Sequence, residues 1–144
     1  DTTTDEQGEL YRISTNNTNE LIKIYFYEEY IFIGTEKGLF YMPYTNTDPI
    51  FLTEYSPSSG AFDYYNGKVY FTVEADAKAN LISVDVKTQE INEVVSLVES
   101  NGTVRTYTEI AICADGYYYT EPNNTNGGLF YHSFNQTEEI RIWN

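Results

Sequence analysis

The amino-acid sequence predicts an all-β protein built from repeated antiparallel meanders. Aromatic residues make up 17 % of the chain, with 15 tyrosines against one tryptophan, and such side chains suit a pleated, half-buried surface. A strand, a polar turn and a second strand recur four times, and turn-forming dipeptides separate further strand-like segments. The 144 residues correspond to one ordinary domain with a substantial core.

The recurring unit begins with a leucine inside a short apolar strand, as in Gly38-Leu39-Phe40 and Gly128-Leu129-Phe130. A polar turn rich in Thr, Asn or Gln follows, and then an acid opens the next strand. The leucine and the acid lie ten, nine, nine and nine residues apart, a spacing that predicts one hairpin per unit. The four pairs are Leu10 and Glu20, Leu39 and Asp48, Leu81 and Glu90, and Leu129 and Glu138.

A second hairpin precedes three of these units. Residues 63–71 contain Asn66-Gly67 and residues 112–119 contain Asp115-Gly116, the dipeptides that tolerate positive φ in two-residue turns. The corresponding residues 27–33 lack a glycine, which makes their turn less well defined by sequence.

These hairpins predict thirteen strands and no helix. Residues 88–99 have some helical character, but Val94, Val95 and Val98 are β-branched and the repeat places a strand there. We group the strands as one N-terminal extra strand followed by three four-stranded meanders. The strands are expected near 9–15, 20–27, 30–34, 38–44, 50–54, 61–65, 68–74, 80–86, 91–98, 107–113, 117–121, 128–134 and 138–143.

Four-stranded units repeating every 40 to 50 residues or so are typical of β-propeller blades. The segments Gly-Leu-Phe-Tyr and Asn-Gly-Lys-Val-Tyr-Phe resemble repeats of bacterial extracellular propellers of the six-bladed type, and more distantly the Tyr-Trp-Thr-Asp propellers. The resemblance specifies architecture and not activity, because the matching motifs are short and degenerate. The chain also departs from the family in lacking an intact Tyr-Trp-Thr-Asp motif. A β-trefoil or a sandwich remains the alternative fold.

Three blades are about half of a closed ring, which has consequences for domain organisation. We expect residues 1–8 to be a flexible tail and residues 9–144 to form a propeller-like domain that is part of a larger ring or assembly. The outer flanks of the first and last blades would otherwise expose large apolar surfaces. A second copy, or a longer parent chain, would cover them.

Charge and cysteine content restrict the partners and the compartment. The net charge of −14 repels nucleic acid and anionic lipid, and no apolar run approaches the roughly 20 residues of a membrane span. Cys113 is the only cysteine, so an internal disulfide is excluded, and we expect a bacterial or other extracellular or cell-envelope protein. Four Asn-X-Thr sequons are also compatible with a glycosylated secretory protein, and they begin at Asn16, Asn101, Asn123 and Asn135.

The sequence contains few groups suited to catalysis. His132, the only histidine, lies among packing residues, so we predict no catalytic residue and no zinc site. Glu74, Asp76 and Asn80 are a weak match to a calcium loop, which leaves calcium as the only cofactor considered. An alternative is a hydrolase or lyase that uses carboxylates in a propeller channel, with Asp63, Glu109 and Asp115 as candidates.

We expect any ligand at the loops between blades and between the second and third strands of each blade. Tyr55 and Tyr107 are candidates for stacking on a sugar ring, Asp76 and Asn126 for hydrogen bonds to its hydroxyls, and Arg105 for a fixed positive charge. The expected loops are 36–38, 55–60, 74–80, 99–105 and 121–127.

The favoured function is a non-enzymatic extracellular recognition or assembly module that acts through blade-face loops and open blade edges. Its expected partner is a protein or a second copy of the chain, with carbohydrate as an alternative. Besides the carboxylate enzyme, a structural subunit is the other alternative, in which strand 9–15 adds to the sheet edge of a neighbour.

Overall fold

A computed structural model describes residues 21–45, 48–75, 78–122 and 127–143. These residues form twelve strands without a helix, which confirms the all-β prediction; the described part of the chain thus holds no helix able to cross a membrane. The predicted tail 1–8 and extra strand 9–15 lie outside the described residues. The strands are β1 Leu21–Phe26, β2 Tyr30–Thr35, β3 Gly38–Pro43, β4 Ile50–Thr53, β5 Phe62–Tyr65, β6 Lys68–Ala75, β7 Lys78–Asp85, β8 Ile91–Ser96, β9 Glu109–Ile112, β10 Gly116–Glu121, β11 Gly128–Ser133 and β12 Glu139–Trp143.

The strands form three antiparallel sheets of four, each ordered as in the sequence. We call them the first meander (β1–β4), the second meander (β5–β8) and the third meander (β9–β12). The chain divides into two compact units, Asp1–Ser56 and Pro57–Asn144. The first meander therefore belongs to one unit, and the second and third meanders belong to the other.

A β-bulge marks the recurring leucine in every meander. The register between the third and fourth strands shifts directly after Leu39, after Leu81 and after Leu129. A bulge at the same position bends each outer strand in the same way. The sequence repeat thus corresponds to a repeated backbone irregularity.

Of the two glycine-containing turns predicted from the sequence, one is confirmed by the structure and the other is displaced. Asn66 and Gly67 have φ angles of 50° and 83°, which confirms the predicted two-residue turn. The prediction for Asp115-Gly116 was wrong by one residue, because Ile112 pairs with Tyr117 and the turn is centred on residues 114 and 115. Gly116 is needed for a different reason, since a Cβ there would overlap the carbonyl oxygen of His132.

The second and third meanders share one hydrophobic core. From the second meander it contains Tyr70 and Leu81, and from the third Tyr117, Tyr119 and Phe130, all at most 9 % exposed. Close packing of aromatic side chains of this size is the main source of stability that such sheets have. The Ser59 hydroxyl donates to the Tyr107 carbonyl at 2.9 Å and accepts from the Thr72 hydroxyl at 2.8 Å, which connects the same two meanders.

The first meander has its own aromatic centre. Phe32 is fully buried, and the rings of Tyr27, Tyr30 and Tyr41 lie 6.0, 5.8 and 6.4 Å from it. Leu39 and Leu52 are buried as well. The tyrosine surplus of the sequence therefore serves mainly to fill sheet surfaces.

Candidate functional site

Two of the predicted binding loops line a single open groove in the second unit. The groove has a volume of about 920 Å³ and includes residues from the 99–105 loop, from the end of β10 and from β12. Its lining is mostly polar, so it is suited to a ligand that hydrogen-bonds and not to one that is held by apolar contact. The lining residues are Glu99, Asn101, Thr103, Val104, Arg105, Thr106, Glu121, Pro122, Phe130, Glu139 and Arg141.

Arg105 lies at the floor of this groove and is surrounded by carboxylates. Its Nη2 donates to Glu121 and to Glu139, 3.0 Å from Oε2 of the latter, and its Nε lies 3.8 Å from Glu99. The Arg105 side chain is 22 % exposed and that of Glu121 13 %. Partial burial strengthens such ion pairs relative to those on an open surface.

The protonation state of Arg105 follows from two opposed effects. Burial acts to lower its pKa, while hydrogen bonds and charge interactions with Glu121 and Glu139 act to raise it. The carboxylates outweigh burial, and the pKa is raised above that of an ordinary arginine. The charge of Arg105 is thus permanent, but the three glutamates already neutralise it.

Tyr107 and Tyr119 form the layer below Arg105. Their rings are stacked with centroids 4.1 Å apart, and the guanidinium lies 5.9 Å from the first ring and 5.7 Å from the second. The Tyr119 hydroxyl donates to Glu139, which connects the aromatic layer to the ion pairs. The sheet core and the groove floor are therefore one continuous structure.

The structure corrects the expected role of Tyr107. This side chain is 2 % exposed, and burial together with the neighbouring Tyr117 hydroxyl raises its pKa. A ring inside the core presents no face to a sugar, so Tyr107 supports Arg105 and does not contact a ligand directly. The sequence predicted a strand over 107–113, whereas β9 begins at Glu109 and leaves Tyr107 just before it.

Of the other predicted ligand contacts, Tyr55 is the one that lies among the described residues. Tyr55 is half-buried in the first unit, where its backbone N–H donates to Thr53 Oγ1 at 3.3 Å. Asp76 and Asn126 lie outside the described residues.

Two of the four sequons can be placed. Asn101 is exposed at the groove, and its Oδ1 accepts a hydrogen bond from the Thr103 N–H at 2.9 Å. Asn135 is exposed in the turn between β11 and β12. Asn16 and Asn123 lie outside the described residues. Both placed sequons are in exposed turns, where a glycan is sterically acceptable.

The carboxylates considered for catalysis have separate surroundings. Glu109 and Asp115 are exposed at opposite ends of the β9–β10 hairpin. Asp63 accepts hydrogen bonds from the backbone N–H groups of Tyr64 (2.9 Å) and Ile112 (2.7 Å). The contact with Ile112 joins β5 to β9, so Asp63 connects the second and third meanders.

Asp63 gives a first test of this architecture. We expect Asp63→Ala to lower the free energy of unfolding by about 1–3 kcal/mol, because the partly buried Ile112 N–H loses its acceptor. Asp63→Asn keeps one acceptor oxygen, so it should lower the free energy of unfolding by a smaller amount. Urea denaturation of both variants checks this, and equal losses would contradict a role for the hydrogen bond.

His132, Cys113 and the calcium candidates complete the survey of reactive groups. The His132 ring packs 5.4 Å from that of Tyr117, and the Cys113 thiol donates to the Gly116 carbonyl at 3.2 Å. Of the calcium candidates, Glu74 is exposed, Asn80 is half-buried and Asp76 is not described. Within the described residues, no three His, Cys, Asp or Glu side chains are arranged to hold a metal.

Comparison with known proteins identifies the architecture. No family model and no curated protein matches the chain. Among solved structures, it is similar to the crystal structure of TolB from Acinetobacter baumannii, with a TM-score of 0.59 and 10 % sequence identity. The match covers 79 % of this chain and 29 % of that TolB chain. The fold is of the β-propeller type.

The three meanders are accordingly propeller-type blades, and the trefoil and sandwich alternatives are set aside. In each sheet, four consecutive strands pair in sequence order, which is the blade pattern. The chain spans about a third of the length of the TolB chain, since 29 % of it is covered. The likeness applies to the fold alone.

Sequence reasoning located Arg105 but missed its partners. Glu121 and Glu139 lie 16 and 34 residues further along the chain, and no local pattern indicates that they converge. The recurring acid of the repeat is Glu138, whereas the neighbouring Glu139 makes the contact. Only the pairing of β12 with β11, which matches His132 with Glu139, fixes which of the two carboxylates faces the groove.

Proposed function

We propose that this chain is a non-enzymatic protein-recognition module whose groove at Arg105 binds a basic segment of a partner protein. The observation that carries the proposal is the ion-pair network of Arg105, Glu121 and Glu139, which forms a fixed floor under an open polar groove. Binding sites on rigid scaffolds are often formed by loops, because the sequence of a loop can vary without disturbing the core of the sheets.

The charges favour a cationic partner. The groove contains three carboxylates and two guanidinium groups, those of Arg105 and Arg141, so it carries one excess negative charge. The chain as a whole carries −14. A field of this sign attracts lysine and arginine side chains and accelerates their encounter with the groove.

Exposed side chains at the rim supply the direct contacts. The Glu99 side chain is 46 % exposed and Val104 is 50 % exposed, while Asn101 and Thr103 offer polar atoms. This set matches a segment that places a basic residue beside an apolar one. Apolar contact then adds affinity to the electrostatic attraction.

Carbohydrate is a less well supported ligand for the groove. Sugar rings usually stack on an exposed aromatic face, but Phe130, the aromatic lining residue described here, is 7 % exposed. Tyr107 and Tyr119 lie beneath Arg105 and are also buried. A carboxylate enzyme has no better support, because Glu121 and Glu139 are both bound by Arg105.

An extracellular or cell-envelope location is part of the proposal. Its support is the single cysteine, Cys113, the acidic surface and the exposed sequons at Asn101 and Asn135. With a single cysteine, such a protein is stabilised by packing alone and not by disulfides.

An array of twelve-residue peptides tests the function. One set combines Lys or Arg with Leu, and a matched set combines Asp or Glu with Leu. We expect the basic set to bind, with affinity that falls as salt is raised, because screening weakens charge attraction. Thr103→Trp, which fills the groove, should weaken binding by about tenfold or more, equivalent to about 1.4 kcal/mol.

Thr137→Trp is the matched control, since Thr137 is exposed in the β11–β12 turn and does not line the groove. It should leave the affinity unchanged. A glycan array serves as the competing probe. Binding to glycans alone, binding to acidic peptides, no binding to any peptide, or equal effects of the two tryptophan variants would each overturn the proposal.

A further inference from the structure

A small cavity adjoins the groove in the second unit. It has a volume of about 40 Å³ and shares Arg105 and Thr106 with the lining of the groove. It lies between the second and third meanders, where the hydroxyl of Ser59 connects them. We call this cavity the hydroxyl chamber, and its lining includes Ser58, Ser59, Thr72, Glu74, Arg105 and Thr106.

Three hydroxyl hydrogens of the chamber are already used inside the protein. Ser59 donates to the Tyr107 carbonyl at 2.9 Å, so the hydrogen in its 2.8 Å contact with Thr72 comes from Thr72. Ser58 donates to the Thr72 carbonyl at 3.0 Å, which is closer than its 3.4 Å contact with Thr72 Oγ1. A hydroxyl has one hydrogen and two lone pairs. The hydroxyls of Ser58 and Thr72 therefore offer a ligand only acceptor lone pairs.

Glu74 adds a carboxylate to these acceptors. Its side chain is exposed, whereas Thr72 is 3 % exposed, so the carboxylate lies towards solvent and the hydroxyl towards the core. Arg105 also lines the chamber, but the three carboxylates of the groove compensate its charge. Acceptors beside a carboxylate favour a ligand that carries both a positive charge and hydrogen-bond donors.

The size of the chamber distinguishes between the two basic side chains. About 40 Å³ is enough for one water-sized group. The ammonium of lysine is a compact charge with three donors, whereas the guanidinium of arginine is a wider planar group with five. The chamber therefore fits an ammonium and is too small for a guanidinium.

We propose that the hydroxyl chamber is a binding site for a primary ammonium group, the end of a lysine side chain. The inference rests on the proposed function only for the source of that lysine, which is the basic segment bound in the groove. Arg105 and Thr106 form a wall common to groove and chamber, so a segment in the groove passes directly beside the chamber. Lysine is then preferred to arginine at that point of the segment.

Titration with methylammonium tests the chamber without any peptide. We expect the methyl resonance of Thr72 in proton–carbon correlation spectra to shift and to saturate. Tetramethylammonium has the same charge but no N–H donor, and methylguanidinium is wider, so at equal ionic strength both should leave the resonance in place. No shift with methylammonium would mean that the chamber holds water only, and this would overturn the proposal.

Two substitutions each remove one acceptor from the chamber. Glu74→Gln and Ser58→Ala should each weaken methylammonium binding by about tenfold, the effect of one hydrogen bond to a charged group. The backbone N–H of Ser58 still donates to the Thr72 carbonyl at 2.8 Å, so Ser58→Ala keeps the local backbone in place. Glu93→Gln is the matched control, because Glu93 is exposed on β8 and lines neither groove nor chamber. An equal effect of Glu93→Gln would contradict a local site.

Separate Lys-Leu and Arg-Leu peptides distinguish this inference from the proposed function. The lysine peptides should bind about tenfold more tightly, and Glu74→Gln should abolish the preference. Equal binding of both sets, without a methylammonium shift, would overturn the chamber and leave the groove function in place. Methylammonium binding without binding of any peptide would support the chamber and overturn the groove function.

Discussion

Replacing Gly38 with alanine should destabilise the first meander by about 3–5 kcal/mol, a large loss for one methyl group. Gly38 begins β3 with φ +133°, a conformation that side chains rarely adopt. A Cβ there would overlap the carbonyl oxygen of Thr53 and lie 2.9 Å from the Cα of Glu54. Both neighbours are backbone atoms of or next to β4, so relief requires β4 to move away from β3.

Hydrogen exchange followed by mass spectrometry measures this effect segment by segment. Peptides within residues 21–53 should exchange faster in Gly38→Ala, while those within 109–143 should not change. Gly67→Ala is the matched control, because its φ is +83° but a Cβ there meets nothing within 4 Å. Gly67→Ala should lower the free energy of unfolding by only about 1–2 kcal/mol, the conformational penalty of a positive φ without steric overlap. Equal effects of the two substitutions would show that steric overlap is not the cause.

Tyr119→Ala should have a comparably large effect in the second unit, with an expected loss of about 3–5 kcal/mol. Tyr119 is 1 % exposed and its ring stacks on Tyr107 and, at 5.3 Å, on Phe130. Its removal opens a cavity below Arg105 and leaves Glu139 without the hydroxyl that it accepts from. The substitution should therefore weaken the packing of the core and the ion-pair network of Arg105 at the same time.

Tyr119→Phe separates the two contributions. It keeps the ring and removes the hydroxyl, so the expected loss is about 1.5–3 kcal/mol, the range for one hydrogen bond to a charged group. Urea denaturation monitored by far-ultraviolet circular dichroism gives both values. If Phe costs as much as Ala, the hydrogen bond to Glu139 and not ring packing stabilises this region.

Most of the secondary structure could be predicted because it depends on neighbours in the chain. Asn66-Gly67 specifies its turn through backbone preferences alone. The β-branched Val94 and Val95 favoured a strand, and β8 confirms it. The turn predicted at Asp115-Gly116 was placed one residue too far along. Gly116 is needed not for the turn but because the His132 carbonyl on the neighbouring strand approaches it closely.

The candidate site was less predictable because its members are distant in sequence. Arg105 stood out as an arginine in an expected loop, but a cation seen alone suggests a free charge. The contacts with Glu121 and Glu139 convert it into a structural centre. Tyr107, expected at the surface, is in the core for the same reason, since Tyr119 on another strand stacks on it.

The sequence by itself determined the number of meanders, their order and the leucine that recurs in each of them. Repetition, alternation and turn residues act over a few positions, and these local forces suffice to form a hairpin. The tertiary structure alone decided which face of each sheet is covered and which carboxylates meet Arg105. Those outcomes depend on packing between sheets, where side chains far apart in the chain compete for the same surface. Phe26 and Ile112 each end the first strand of a meander, paired with Ile31 and Tyr117, yet Phe26 is 67 % exposed and Ile112 is 8 % exposed.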